Sequence, residues 1–162
     1  MPLLAPSMCD IQDEQKASGA SLGFFRPERV LDVETAEEKP RDWSTAEREK
    51  LLQGDLFLTK EKKLLEKIPF GFYYRYRCAD CRTKEPHRMK IIDWELAELW
   101  RRARRDHTQE KSVELVRERF LDDLCGADKD THFFTGNLQA HPGTFLILGV
   151  FWPPKTAQAN LF

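Results

Sequence analysis

Residues 70–81 read FGFYYRYRCADC, an aromatic run that passes without a break into a Cys-x-x-Cys pair. Aromatic side chains at this density favour a pleated, half-buried surface, so Phe70 to Arg77 predicts a strand. Two thiols two residues apart at the end of a strand suit one edge of a metal tetrahedron, or a redox dithiol. A thioredoxin-like dithiol opens a helix, whereas Arg82, Thr83, Lys84 and Pro86 continue this loop in basic and turn-forming residues. The fold must accommodate this joined strand and loop as one unit.

His87 extends the pair to three local ligand residues, Cys78, Cys81 and His87. Tetrahedral zinc takes a fourth ligand in structural sites, or water in catalytic ones. Cys125, at the expected end of a helix, is the expected fourth ligand, with His107, His132 and His141 as weaker candidates. The expected cofactor is therefore structural zinc on Cys78, Cys81, His87 and Cys125.

The chain has 162 residues, of which 41% are hydrophobic, enough for one compact core and too few to expect two. Residues 1–20 contain Pro2, Pro6, Ser18 and Gly19 without sustained periodicity, so they read as a mobile arm outside the fold. Residues 21–154 form the expected single domain and 155–162 a C-terminal tail. Strands are expected over 22–33, interrupted at Pro27, and over 70–77, 89–92, 132–135 and 144–152. Ser44 with Glu47 forms a capping box for a short helix, and Asp93 caps a longer one from Trp94 to about Arg105. A further helix is expected from Ser112 to Leu124, ended by Gly126 in a left-handed conformation. This order lacks regular βαβ alternation. It implies an α+β fold with a mixed or mainly antiparallel sheet, helices packed on one face, and a zinc loop.

Charge excludes little by itself, because 26 Lys and Arg face 27 Asp and Glu. Locally, however, Arg75 to Arg105 holds ten cations, Arg75, Arg77, Arg82, Lys84, Arg88, Lys90, Arg101, Arg102, Arg104 and Arg105, against five acids. Cations for phosphate beside Phe70, Phe72, Tyr73, Tyr74 and Tyr76 for stacking suit a nucleic-acid surface. No apolar run is long enough for a bilayer and the first twenty residues have no signal-peptide core, so a soluble cytoplasmic protein is expected. Signatures of dinucleotide, Walker-loop, hydrolase-elbow and metalloprotease sites are lacking.

Two short resemblances bear on function. Asp93 and Glu95, in IIDWEL after a short apolar strand, form a pattern that resembles the first D-x-E motif of DnaQ-like exonucleases. That resemblance implies a metal-dependent nuclease or phosphodiesterase in which both carboxylates hold divalent ions. Gln53-Gly-Asp-Leu-Phe57 and Gln158-Ala-Asn-Leu-Phe162 each resemble the pentapeptide by which bacterial replication and repair proteins bind the sliding clamp. This resemblance implies a recruitment role for Gln158, Leu161 and Phe162, with Leu and Phe as apolar anchors. The function expected from these features is a zinc-stabilised, nucleic-acid-associated accessory module of replication or repair. A nuclease and a protein interaction module are the alternatives.

Overall fold

The computed structural model describes residues 4–39, 42–52 and 65–155. Six strands, β1 (Leu22–Phe25), β2 (Pro27–Glu37), β3 (Phe70–Cys78), β4 (His87–Ile91), β5 (His132–Leu138) and β6 (His141–Phe151), form one sheet. Their order is β1-β5-β6-β4-β3-β2. Neighbours are antiparallel except β4 and β6, which pair in parallel at Ile91 and Ile147. The described helices are α1 (Met8–Ser18), α2 (Thr45–Leu52), α3 (Trp94–Asp106) and α4 (Gln109–Arg117). The last runs on into a π-helical turn, Glu118–Asp123. The chain thus has the expected α+β architecture with a mixed sheet.

The sheet is strongly curled. β1 and β2 occupy opposite ends of the strand order, yet only Arg26 lies between them in sequence. Consecutive Cα atoms are about 3.8 Å apart, so the two outer strands must meet at that corner. They behave as two halves of one bent strand, the first paired with β5 and the second with β3. Contacts across the concave side follow from the curl: Phe25 of β1 lies 5.5 Å from Tyr76 of β3, and Phe133 of β5 stacks on Tyr74 at 4.7 Å.

Alternation along β3 decides which side chains fill this interior. Phe72, Tyr74, Tyr76 and Cys78 are buried, while Tyr73, Arg75 and Arg77 face the other way. Helices close over the same concave side. Ile11 of α1 is so near Gly23 that a Cβ there would approach it to 2.6 Å, and the Tyr74 hydroxyl donates to the Phe120 carbonyl at 2.6 Å. Leu96, Trp100 and Ala103 of α3 and Val116 of α4 complete the core.

Several local expectations change. Residues 8–18 are a helix, not a mobile arm: the Ser7 hydroxyl accepts from Asp10 N, Gly19 ends the helix at φ 74, and Met8 and Ile11 are fully buried. Its polar remainder masks this in the sequence, because only one turn of α1 is apolar. Thr108, not Ser112, begins α4 by capping Lys111 N. Gly126 has no positive φ; it is needed because a Cβ would come within 2.8 Å of the Asp122 carbonyl. Strand β6 begins at His141, so Gln139 and Ala140 alone turn the hairpin. Both Gln-x-x-Leu-Phe segments, 53–57 and 158–162, lie outside the described residues.

Candidate metal centre

Cys9, Cys78, Cys81 and His87 converge at one end of the curled sheet, their ligand atoms all within 4.8 Å of one another. Each arrives by a separate local device. Cys78 is the last residue of β3, and antiparallel pairing sets His87, the first residue of β4, beside Tyr76. Between them the Cys-x-x-Cys turn closes through Asp80 in a left-handed conformation, φ 49, which returns Cys81 towards Cys78. Cys9 comes from the first turn of α1. Arg82 fastens that helix to the loop, pairing with Asp10 at 3.5 Å and Asp13 at 2.8 Å.

Four of the six separations among these ligand atoms lie near the edges of a tetrahedron, and all six are within 4.8 Å. Thiolate and imidazole ligands at ~2.3 Å and ~2.0 Å from one ion stand ~3.8 Å apart for two sulfurs and ~3.5 Å apart for sulfur and nitrogen. The Cys9 and Cys78 sulfurs are 3.8 Å apart. His87 Nε2 lies 3.3 Å from Cys78, 3.3 Å from Cys81 and 3.6 Å from Cys9. All four cysteines are free thiols. The donor set fits zinc, which favours sulfur and imidazole in closed four-ligand sites.

Electrostatics prepares two of the ligands and resists a third. Burial, with Arg77 adding to it, lowers the His87 pKa and favours the neutral imidazole that a metal needs. Burial opposes ionisation of Cys81, but hydrogen bonds with the Thr83 side chain and backbone and with Cys78 outweigh it and bring the thiol down to about 7. Burial pushes Cys78 up to about 11, so a bound cation must supply the attraction that holds its thiolate.

Cys125 does not join this set. Its sulfur sits 3.3 Å from the Phe120 carbonyl and 3.7 Å from the Tyr74 hydroxyl, and burial pushes its thiol up to about 11. Following the π-helical turn, it lies against Tyr74 at the middle of β3, where it packs as a small apolar residue. His132 is likewise engaged elsewhere, its Nδ1 2.8 Å from the Asp130 carbonyl and its ring against Phe24. Cys9 was hidden by the polar surroundings of its helix. The signal available was Ser7 as a cap three residues before Asp10, with Met8 and Ile11 marking an inward face.

The other expected sites fare differently. The Asp93 carboxylate accepts from Glu95 N at 2.8 Å and caps α3; neither acid enters a cluster of three or more possible ligands among the described residues. Half of the ten cations are already paired: Arg75 and Arg88 with Glu34, Arg82 with Asp10 and Asp13, Lys90 with Glu38, and Arg101 with Glu98. Arg77, Lys84, Arg102, Arg104 and Arg105 make no ion pair among the described residues. Phe72, Tyr74 and Tyr76 are core residues, Arg88 covers the Tyr73 ring at 3.6 Å, and Phe70 is half-buried, so four of the strand's five aromatic rings are already engaged.

A curled mixed sheet clasped to an N-terminal helix by three cysteines and one histidine defines a small α+β domain with a candidate metal centre. The chain belongs to the family described as a domain of unknown function, DUF8757, which matches residues 4–162. No curated protein and no solved structure matches it. Among the described residues no helix is long and apolar enough to cross a membrane.

Proposed function

We propose that this chain is a zinc-stabilised interaction module whose metal is structural, held by Cys9, Cys78, Cys81 and His87. The observation that carries this reading is the convergence of four protein ligands, four of whose six separations fall near tetrahedral edge distances and all within 4.8 Å, a closed set of the kind found in structural zinc sites. The metal joins an N-terminal helix to a hairpin, which is the work of a clasp. An exposed apolar strip supports a binding role: Leu22, Phe134, Leu148 and Phe151 lie on the convex side of β1, β5 and β6, with Phe24 stacked on Phe134 at 4.3 Å. The test is metal analysis with chelation. About one zinc per chain and a fall in melting temperature with a strong chelator are expected. A metal-free protein whose melting is indifferent to chelation rules the reading out.

A second reading, contact with nucleic acid, draws on Arg102, Arg104 and Arg105 towards the end of α3, which make no ion pair among the described residues. Recruitment to the sliding clamp through Gln158, Leu161 and Phe162 belongs with that reading. A clamp pull-down that survives Leu161→Ala with Phe162→Ala, and also Leu56→Ala with Phe57→Ala, excludes recruitment by these motifs. The nuclease alternative draws no support from Asp93, whose carboxylate is engaged in capping.

A further inference from the structure

Residues 131–154 carry no Asp, Glu, Lys or Arg, and neither do residues 17–25, in a chain that is 33% charged. Together they supply β1, β5 and β6, three adjacent strands at one end of the sheet. Burial accounts for the missing charge on the concave side, where Phe25, Phe133, Phe145 and Ile147 are core, but not on the convex side. There Leu22 is 64% exposed, Phe151 50%, Phe134 46% and Leu148 41%. These side chains form one surface. Gly136 of β5 leaves bare the place where Leu22 and Leu148 close in: a Cβ there would meet Leu148 at 2.8 Å and Leu22 at 3.3 Å. Phe24 stacks on Phe134 at 4.3 Å and on His132 at 5.2 Å, and the Phe151 ring lies 6.2 Å from His132. The convex side of β3 and β4 differs sharply, because Arg75, Arg88 and Lys90 pair there with Glu34 and Glu38.

We propose that the convex face of β1, β5 and β6 binds the same face of a second copy of this chain, sheet on sheet about a two-fold axis. An uncharged face is matched by an uncharged one, since a charge set against it loses water without gaining a partner. The same face on a second copy meets that condition and brings an identical set of aromatic and aliphatic anchors. Strand addition is closed to β1, whose outer edge is taken: Ala5 N donates to the Phe24 carbonyl at 2.7 Å, so the contact is between faces. A lipid surface fits less well. Arg26 and Lys129, just beyond the Phe25 and His132 ends of these strands, already pair with Asp130 at 2.8 Å and Asp128 at 2.7 Å, and a net charge of −1 gives no attraction to anionic headgroups. Two-fold pairing uses the face up, and the ion pairs of β3 and β4 border it, so association stops at two copies. This rests on the interaction-module reading above, though not on its metal.

Sedimentation velocity of the full chain with zinc supplied, from about 1 μM to about 1 mM, should show a reversible monomer to dimer equilibrium. Leu22→Glu with Leu148→Glu should raise the dissociation constant by about 30-fold or more, the weight of one interface hot spot, because the two-fold brings the carboxylates of both copies onto one interface. Mixed with the chain carrying Leu22→Lys and Leu148→Lys, this variant should pair again, which an unfolded variant does not do. Leu31→Glu, at an exposed position of β2 outside the face, should leave the equilibrium unchanged. A wild-type chain that stays monomeric at about 1 mM, a dimer indifferent to the double change, assembly that continues past two copies, or uptake of the chain by phosphatidylcholine vesicles each overturns the inference. So does a chain ending at Lys155 that dimerises where the full chain does not, because residues 156–162 are then the occupant of the face. Zinc content is read on the same samples: a metal-free dimer removes the zinc reading and leaves this inference standing, and a zinc-loaded monomer does the reverse.

Discussion

Cys9 and Cys78 stand 69 positions apart in the chain, yet their sulfur atoms are 3.8 Å apart. One belongs to a helix and the other to the central aromatic strand, so this contact closes the fold as well as the candidate metal centre.

Replacing Cys9 with Ser should weaken zinc binding by more than the about 10- to 100-fold expected for losing an outer partner. Cys125→Ser should leave both stoichiometry and affinity unchanged, because that sulfur touches Tyr74 and Phe120 instead. Competition with a metallochromic chelator reads both. Equal losses for the two variants contradict the assignment of the fourth ligand.

Zinc affinity should climb with pH. His87 is already disposed to be neutral, but the Cys78 thiol, at about 11, must lose its proton on binding. Release of the Cys78 proton alone gives about tenfold in affinity per pH unit between ~7 and ~9, to which protons leaving Cys9 on binding add, with Cys81 adding to the slope near ~7. In the metal-free protein Cys81 acts in the same direction. Its folded pKa, about 7, lies below the reference 9.0, so its stabilisation is full above pH 9 and is lost as pH falls through about 7. Cys78, raised from 9.0, opposes this only as pH rises from 9 through about 11. Affinity titrations in zinc-buffered solutions check the slope, and chelator-treated melts check the stability.

Ile11→Ala should cost about 2–5 kcal/mol of folding stability, the range for emptying a buried aliphatic site. Ile11 is fully buried and packs against Gly23 of the first strand. Denaturant unfolding of the zinc-loaded protein measures the loss. A change of a few tenths of a kcal/mol would mean that residues 8–18 dangle from the domain.

If the chain binds nucleic acid, Arg102, Arg104 and Arg105 changed together to Ala should reduce the logarithmic salt slope by up to about 0.9 per lost duplex phosphate contact. The same treatment of Arg75, Arg88 and Lys90 should matter less, because Glu34 and Glu38 already engage those charges. Fluorescence anisotropy at several salt concentrations distinguishes the sets. Absence of binding by the wild-type chain at low salt removes the nucleic-acid reading.

Features confined to a few neighbouring residues were legible in the sequence. The aromatic density of FGFYYRYR specified β3, Ser44 and Glu47 reciprocally cap α2 at 2.8 and 3.3 Å, and Asp93 caps α3. Cys78, Cys81 and His87 could be grouped because a short loop keeps them together whatever the rest of the chain does. Cys9 could not, since its place depends on Met8 and Ile11 finding the concave side of a sheet assembled from distant strands. The same long-range assembly turned Phe72, Tyr74 and Tyr76 into core and gave Arg75 and Arg88 the carboxylate of Glu34. Local propensity and turn chemistry act over a few residues and determined the elements. Burial and ion pairing act between residues far apart in the chain, so only the curled sheet decided which cysteine completes the cluster and which cations have no ion-pair partner among the described residues.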